Sequence, residues 1–342
     1  MTGSTVPEVD QRPLAGASAW IITAGMAGMD VQVKGVADAL GLNYEMKHVE
    51  PTGIWRLMAP WGPVPPSERF GQPGSRFAPP WPKVAISLGR IGALYMRALR
   101  RRAGSATFTL AMQDAKAGLS LANIIWVPEH DRLRGPNVVT TLTSPHSFTA
   151  ARIEELRRQM PPPIAALPSP RVAVIVGGKN AVYDWNEADC TRFGEALKSI
   201  GALGVSFLIT PSRRTPPALL AAVDAATNSF PRILWDFTGA NPYGDFLAHA
   251  DLLVVTADSV NMTGEACVTG KPVLVFTPSG GSAKFRRYHK LLQDSGATRP
   301  LPDRLEALPQ WSYEPLHSAD VIAREVERRW LAHQERRNNG GR

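Results

Sequence analysis

Short apolar runs rich in β-branched residues alternate with segments whose apolar positions recur at helical spacing along most of the chain. In the first half the runs at 19–24, 44–49, 84–87, 107–111, 123–127 and 138–141 predict strands. Helical spacing at 31–40 and 91–102 places helices between them. After residue 170 the alternation restarts, with strands predicted at 171–176, 205–210, 233–237, 252–256 and 272–276. The segment 187–200 puts Cys190, Phe193, Leu197 and Ile200 on one helical face. Strand–helix alternation produces βαβ units and parallel sheets. The expected fold class is therefore α/β, with two Rossmann-like parallel-sheet domains facing across a cleft.

Two proline-rich stretches interrupt the pattern. Residues 51–82 combine prolines with several tryptophans and read as a long surface excursion, since proline removes ladder donors. Residues 161–170 carry two proline clusters behind a helical segment at 151–160 and read as a stiff linker. The expected organisation is an N-terminal domain over 1–160, the linker over 161–170, a C-terminal domain over 171–315, and a basic helix with a tail over 316–342.

Composition narrows the function classes. The formal charge is +8, which favours acidic partners, but arginine is scattered along the chain rather than gathered on one segment, so nucleic acid is not expected. The two cysteines, Cys190 and Cys267, belong to no CxxC pair or Cys/His cluster, so no metal site is expected. The first twenty residues lack the basic start and apolar run of a signal peptide, and no uncharged apolar stretch is long enough to span a bilayer. A cytoplasmic protein is expected. Its basic segment at 318–333 either docks peripherally on an anionic membrane, such as the inner membrane, or crosses between domains with a solvated face.

In open parallel sheets ligands bind beyond the carboxyl ends of the strands, so chemistry is sought there. Strand 171–176 runs into Gly177-Gly178, whose lack of Cβ lets backbone approach a ligand. Strand 205–210 ends in Ser212-Arg213-Arg214-Thr215-Pro216. Thr215 can cap the next helix, whereas two guanidinium forks beside a strand end suit a diphosphate. Asn241-Pro242-Tyr243 could hold a nucleobase or form a capped turn. Strand 252–256 leads into Asp258-Ser259-Val260, where Asp258 or Ser259 can cap a helix and leave amides for an anion. Glu265, about one turn into that helix, suits ribose hydroxyls. Lys284 follows Gly280-Gly281 and reaches either a phosphate or solvent. In the first half, Gly25 and Gly28 give GxxG rather than GxGxxG, which argues against a dinucleotide cofactor. Asp30 and Gln32 lie at that helix start, and Glu129-His130-Asp131 follow strand 123–127. Asp30 and His130 are the candidate general bases.

These residues together resemble the mitochondrial-fission family named for elongated plant mitochondria, which has many bacterial relatives. The resemblance rests on Ser212–Pro216, Asn241-Pro242, Thr256–Val260, Glu265-Ala266-Cys267 and Thr269–Val273. It extends to Gly25, Ala27-Gly28, Gln32, Ala39-Leu40-Gly41, His130-Asp131, Gly177-Gly178, Lys284 and Arg299-Pro300, and so covers about residues 19–300. It implies a GT-B fold and a metal-independent glycosyltransferase that takes a nucleotide-sugar donor and an acceptor of unknown identity, an envelope glycan or a lipid-linked one. On this reading Gly177, Gly178, Arg213, Arg214 and Ser259 surround the diphosphate, and Ser212, Asp258, Val260 and Lys284 belong to the same donor-binding site. Asn241 and Tyr243 lie near the base, and Glu265 holds the ribose. No cofactor is needed beyond the donor. Two rivals share the fold. One is a non-catalytic scaffold, as the plant family's link to recruiting a dynamin-related fission factor suggests; the other is a nucleotide-sugar epimerase.

Overall fold

Six of the strands arise from short apolar or alternating runs bounded by glycine, proline or polar turns. They are β1 (Ser18–Thr23), β2 (Asn43–His48), β3 (Val84–Leu88), β4 (Phe108–Met112), β5 (Ile124–Pro128) and β6 (Val138–Thr141). In the computed structural model, which describes residues 12–339, they form one parallel sheet in the order β2-β1-β3-β4-β5-β6. β3, β4 and β5 are buried at every position, as expected of parallel strands covered on both faces. Alternate residues enter two cores: Ala19 and Ile21 on one face, Trp20 and Ile22 on the other.

The second sheet contains β7 (Arg171–Val176), β8 (Ser206–Pro211), β9 (Arg232–Leu234), β10 (Leu252–Thr256), β11 (Val273–Phe276) and β12 (Thr298–Pro300). Its order is β12-β11-β10-β7-β8-β9, again with every pairing parallel. Val172, Val174 and Val176 face one core, and Ala173 and Ile175 the other. The strand expected to reach residue 237 stops at Leu234. Asp236 instead folds back to accept from the Thr238 amide at 2.9 Å and its hydroxyl at 2.6 Å. β12 has no apolar pattern to announce it: Thr-Arg-Pro is tolerated because it pairs only at the sheet edge.

The chain divides into two compact units, and the division differs from the expected one. The first comprises described residues 12–141, 145–147 and 318–339; the second comprises 142–144 and 148–317. The segment 161–170 is no linker. It contains the helix Pro162–Ala165, buries Ile164 and packs Leu167 on the second core. Arg171 Nη2 donates to the Leu167 carbonyl at 2.9 Å, and Ser206 Oγ to that of Pro168 at 2.8 Å. The helix Ala150–Arg158 also belongs to the second unit, where Arg157 Nη2 donates to the Thr269 carbonyl at 2.7 Å.

The proline- and tryptophan-rich stretch is ordered by its aromatic rings. Phe70 stacks on Phe77 with centroids 4.8 Å apart, and Phe77 meets Trp20 of β1 edge-on at 5.9 Å. Glu68 accepts from Arg76 and from the Tyr95 hydroxyl at 2.8 Å, which pins this cover to the helix Gly89–Ala103.

The C-terminal helix Ser318–Asn339 is part of the first unit. Ala319, Ile322, Ala323 and Val326 form a stripe at helical spacing and bury it in the core that holds Val33, Val36 and Leu40. The apolar stripe of this segment is thus covered by protein. Among the described residues, no helix is long and apolar enough to cross a membrane. On the outer side of the same helix, hydrogen bonds from Arg328, and then Arg329, pull the Glu325 carboxyl down to about 2. A depressed folded-state pKa gives stability that is present above the unfolded value and is lost as pH falls through the folded one. Glu325 is partly exposed and its first partner, Arg328, lies mostly in solvent, so screening keeps the effect small: wild type should lose ~0.5 kcal/mol more than Glu325→Gln between pH 5 and 2. Urea melts at both pH values would measure the difference, and parallel pH profiles would contradict the assignment.

Candidate functional site

In the second sheet the strand order reverses between β7 and β10, so the ligand crevice of this unit lies beyond their carboxyl ends. The loops there are tied to one another. The Gly177 amide donates to Thr256 Oγ1 at 2.8 Å, the Gly178 amide to Asp258 Oδ2 at 2.7 Å, and Asn180 Nδ2 to the Asp258 carbonyl at 2.9 Å. A Cβ on Gly177 would stand 2.1 Å from Asp258 Oδ2, and one on Gly178 2.0 Å from the Arg214 carbonyl oxygen. Both glycines are therefore required by loop-to-loop packing, and their amides are engaged by side chains. Asp258 is buried, and burial pushes its carboxyl up against the opposing pull of Thr256, Gly178 and Arg214.

Arg214 reaches back toward this carboxylate, with Nη2 3.7 Å from Asp258 Oδ2, and stays half exposed. Arg213 is exposed and lines a shallow cavity of about 330 Å³ with Ser212, Thr215, Leu220 and Phe237. Ser212 Oγ accepts the Arg214 amide at 3.0 Å and so shapes the loop that carries both arginines. Thr215 does not cap the following helix, Pro217–Thr227; its hydroxyl donates to the Gly177 carbonyl at 2.6 Å. Pro216 takes the cap position, and proline at the first helical position needs no amide partner there.

Of the two capping candidates after β10, Ser259 is the cap: its hydroxyl accepts the Met262 amide at 3.3 Å at the start of the helix Val260–Ala266. Val260 gives its carbonyl to the Tyr288 hydroxyl at 2.9 Å. Glu265 accepts from the Tyr243 hydroxyl through Oε2 at 2.6 Å. Burial raises the pKa of Glu265, against the pull of that hydrogen bond, and raises that of Tyr243 well above the ordinary phenol value. The Tyr243 ring packs edge-on against Phe148 at 5.6 Å, and Asn241 Oδ1 accepts the Tyr243 amide at 3.0 Å. The Asn241-Pro242-Tyr243 segment is thus a side-chain-capped turn that sets Tyr243 beneath Glu265. Lys284 is exposed on the first turn of the helix Ala283–Asp294.

In the first sheet the order reverses between β1 and β3. Asp30, in the first turn of the helix Ala27–Ala39, accepts from Thr23 Oγ1 at 2.7 Å. Its other oxygen lies 3.0 Å from Nε2 of His48, the last residue of β2. The imidazole is 52% exposed and the carboxylate 11%. A buried acid orienting an exposed imidazole is the arrangement of a general base with its positioning group. Sequence reasoning missed His48; its position at the carboxyl end of the strand paired with β1 was the signal available. His130 is elsewhere. It is buried in the turn after β5, its Nε2 4.0 Å from Asp131 Oδ1, and β5 lies three strands from β1, roughly 14 Å across the sheet. Asp30 and His130 are therefore not brought together. Among the described residues no three His, Cys, Asp or Glu side chains converge to hold a metal ion.

The model of the family described as Mitochondrial fission ELM1 matches residues 27–330. The chain belongs to this family. Among curated members, the ELM1 protein of Arabidopsis thaliana is 27% identical over 283 residues, which is 73% of this chain and 64% of that one. An uncharacterised protein of Rickettsia prowazekii, RP120, is 33% identical over 156 residues, 44% of each chain. The chain thus matches less than two thirds of the length of either relative. Among solved structures, MurG of Acinetobacter baumannii aligns with a TM-score of 0.51 at 15% identity over 93% of both chains. The UDP-GlcNAc 2-epimerase of Methanocaldococcus jannaschii aligns with a TM-score of 0.52 at 10% identity over 90% of this chain and 99% of that one. This member of the ELM1 family therefore has a GT-B-type fold made of two parallel-sheet Rossmann-like units.

Proposed function

We propose that the protein is a metal-independent glycosyltransferase that binds a nucleotide-sugar donor through its C-terminal unit. The observation that carries this reading is the placement of Glu265. Tyr243 holds one of its oxygens at 2.6 Å and leaves the other for vicinal ribose hydroxyls. Arg213 and Arg214, on the loop after β8, supply the cationic forks for the diphosphate. As the glycosidic bond to the donor phosphate breaks, these charges stabilise the leaving diphosphate, and no bound metal is required for that role. The acceptor hydroxyl loses its proton to His48, whose imidazole Asp30 orients.

A second reading, a non-catalytic scaffold, draws on one observation. The Gly178 amide, which would otherwise meet a phosphate, is held by Asp258, and a buried carboxylate there repels anions in its charged form.

A thermal-shift screen against UDP, GDP, CDP, ADP and their sugars separates the two readings, because a ligand of the native state raises apparent stability by mass action. A saturable shift with one nucleotide is expected, weakened ~10-fold or more in Glu265→Gln by loss of a charge-assisted hydrogen bond. Glutamine keeps an acceptor for Tyr243, so folding is spared. No shift with any nucleotide at millimolar concentration would favour the scaffold. Conversion of a bound UDP-sugar with no acceptor present would point to epimerisation.

A further inference from the structure

The N-terminal unit leaves Ile54, Leu57 and Trp61 62%, 80% and 59% exposed, close together on one short segment. The helix Gly53–Leu57 buries none of its residues. Yet this is a fixed feature. Directly after the helix, Ala59 is buried and its carbonyl accepts from Arg90. Arg97 Nη1 donates to the Pro60 carbonyl at 3.2 Å, and its guanidinium lies 4.5 Å from the centre of the Trp61 ring. Two arginines of the helix Gly89–Ala103 thus clamp the base of the segment and present its tip. Single apolar side chains in solvent are ordinary, but a group of them on a rigid support marks an interaction face.

The surrounding charge indicates the partner. Arg56 is exposed in the same turn as Leu57, and Arg101 lies close enough to Arg97 for the two charges to repel. No acidic residue occurs between Pro51 and Trp61; Glu50 is exposed just before the segment, and the nearest acid downstream, Glu68, is engaged by Arg76 and Tyr95. Tryptophan and aliphatic side chains beside arginine are what a surface needs to enter the headgroup boundary of an anionic bilayer. The C-terminal helix cannot serve this purpose with its main apolar stripe, which is spent in the first core. We propose that residues 53–62 dock the protein on an anionic lipid surface, with Ile54, Leu57 and Trp61 entering the headgroup layer and Arg56, Arg97 and Arg101 meeting lipid phosphates.

Co-sedimentation of the full chain with phosphatidylglycerol vesicles and with phosphatidylcholine vesicles tests this. Wild type should partition to the former, and half-molar salt should weaken the binding. Leu57→Asp combined with Trp61→Ala should reduce partitioning ~10-fold or more, with an unchanged melting temperature because both side chains are exposed. Leu331→Asp, an exposed apolar position on the C-terminal helix, should bind as wild type does. The proposal is overturned if wild type ignores phosphatidylglycerol vesicles or if the double variant binds them equally well. It is also overturned if gel filtration shows a wild-type dimer that the double variant dissociates, which would assign the patch to a second copy of the chain.

Discussion

Gly178→Ala should cost ~3 kcal/mol or more and leave the C-terminal unit unfolded or loosely packed at 37 °C. The reason lies in what the added methyl group meets. At Gly178 the new carbon would stand 2.0 Å from the Arg214 carbonyl oxygen and 2.7 Å from the Thr215 amide nitrogen, both backbone atoms of the neighbouring loop. Backbone cannot rotate away as a side chain can. The loops after β7 and β8 would have to separate, breaking the 2.6 Å bond from Thr215 to the Gly177 carbonyl and the 2.7 Å bond from Gly178 to Asp258. Asp258 would then be left buried with one of its partners gone, which adds its own penalty. Urea denaturation followed by circular dichroism would measure the loss. A Gly178→Ala protein within about 0.5 kcal/mol of wild type would contradict the packing described for these loops.

On the proposed glycosyltransferase reading, His48→Ala should lower the rate of sugar transfer by about 10²–10⁴-fold while leaving donor binding intact, given the usual contribution of a positioned general base. Asp30→Asn should fall less far. Asparagine still offers an oxygen to the Thr23 hydroxyl, but it cannot compensate the positive charge that forms on the imidazole as it takes the proton. The readout is release of free nucleoside diphosphate from whichever donor the thermal-shift screen identifies, with kcat and the donor KM followed separately. A change confined to the donor KM, or full activity in His48→Ala, would remove His48 from the chemistry. His130→Ala serves as the comparison, since His130 is buried three strands away.

The parallel architecture was legible because buried strands leave long β-branched runs, and Val172–Val176 or Leu252–Thr256 admit few other readings. The unit boundaries were less so. Proline clusters at 161–170 imitate a linker, and only the packing of Ile164 and Leu167 reveals that they belong to a core. The site residues after β7, β8 and β10 were found as a cluster, but their internal bonds were not. Nothing in Gly177-Gly178 discloses that the missing side chains make room for Asp258 and Arg214. Tyr243 illustrates the same limit: its sequence neighbours suggest a base-stacking loop, whereas its hydroxyl crosses to Glu265, 22 residues on. His48 was overlooked because its partner Asp30 lies 18 residues earlier on another element, and only the pairing of β1 with β2 unites them.

The helix Ser318–Asn339 completes the core of the first unit, although the whole second unit lies between them in the chain. During synthesis this inverts the usual order. The second unit can close as soon as its residues have left the ribosome, because every segment it needs is contiguous but for residues 142–144. The first unit must wait with Val33, Val36 and Leu40 uncovered until Ile322 and Val326 emerge. Its half-finished surface is then the hazard for aggregation during production of the protein, since domains elsewhere usually fold from the N-terminus forward. Supplying residues 318–339 as a separate peptide to a chain that stops at residue 317 should accordingly rescue the solubility of the first unit and leave the second unchanged.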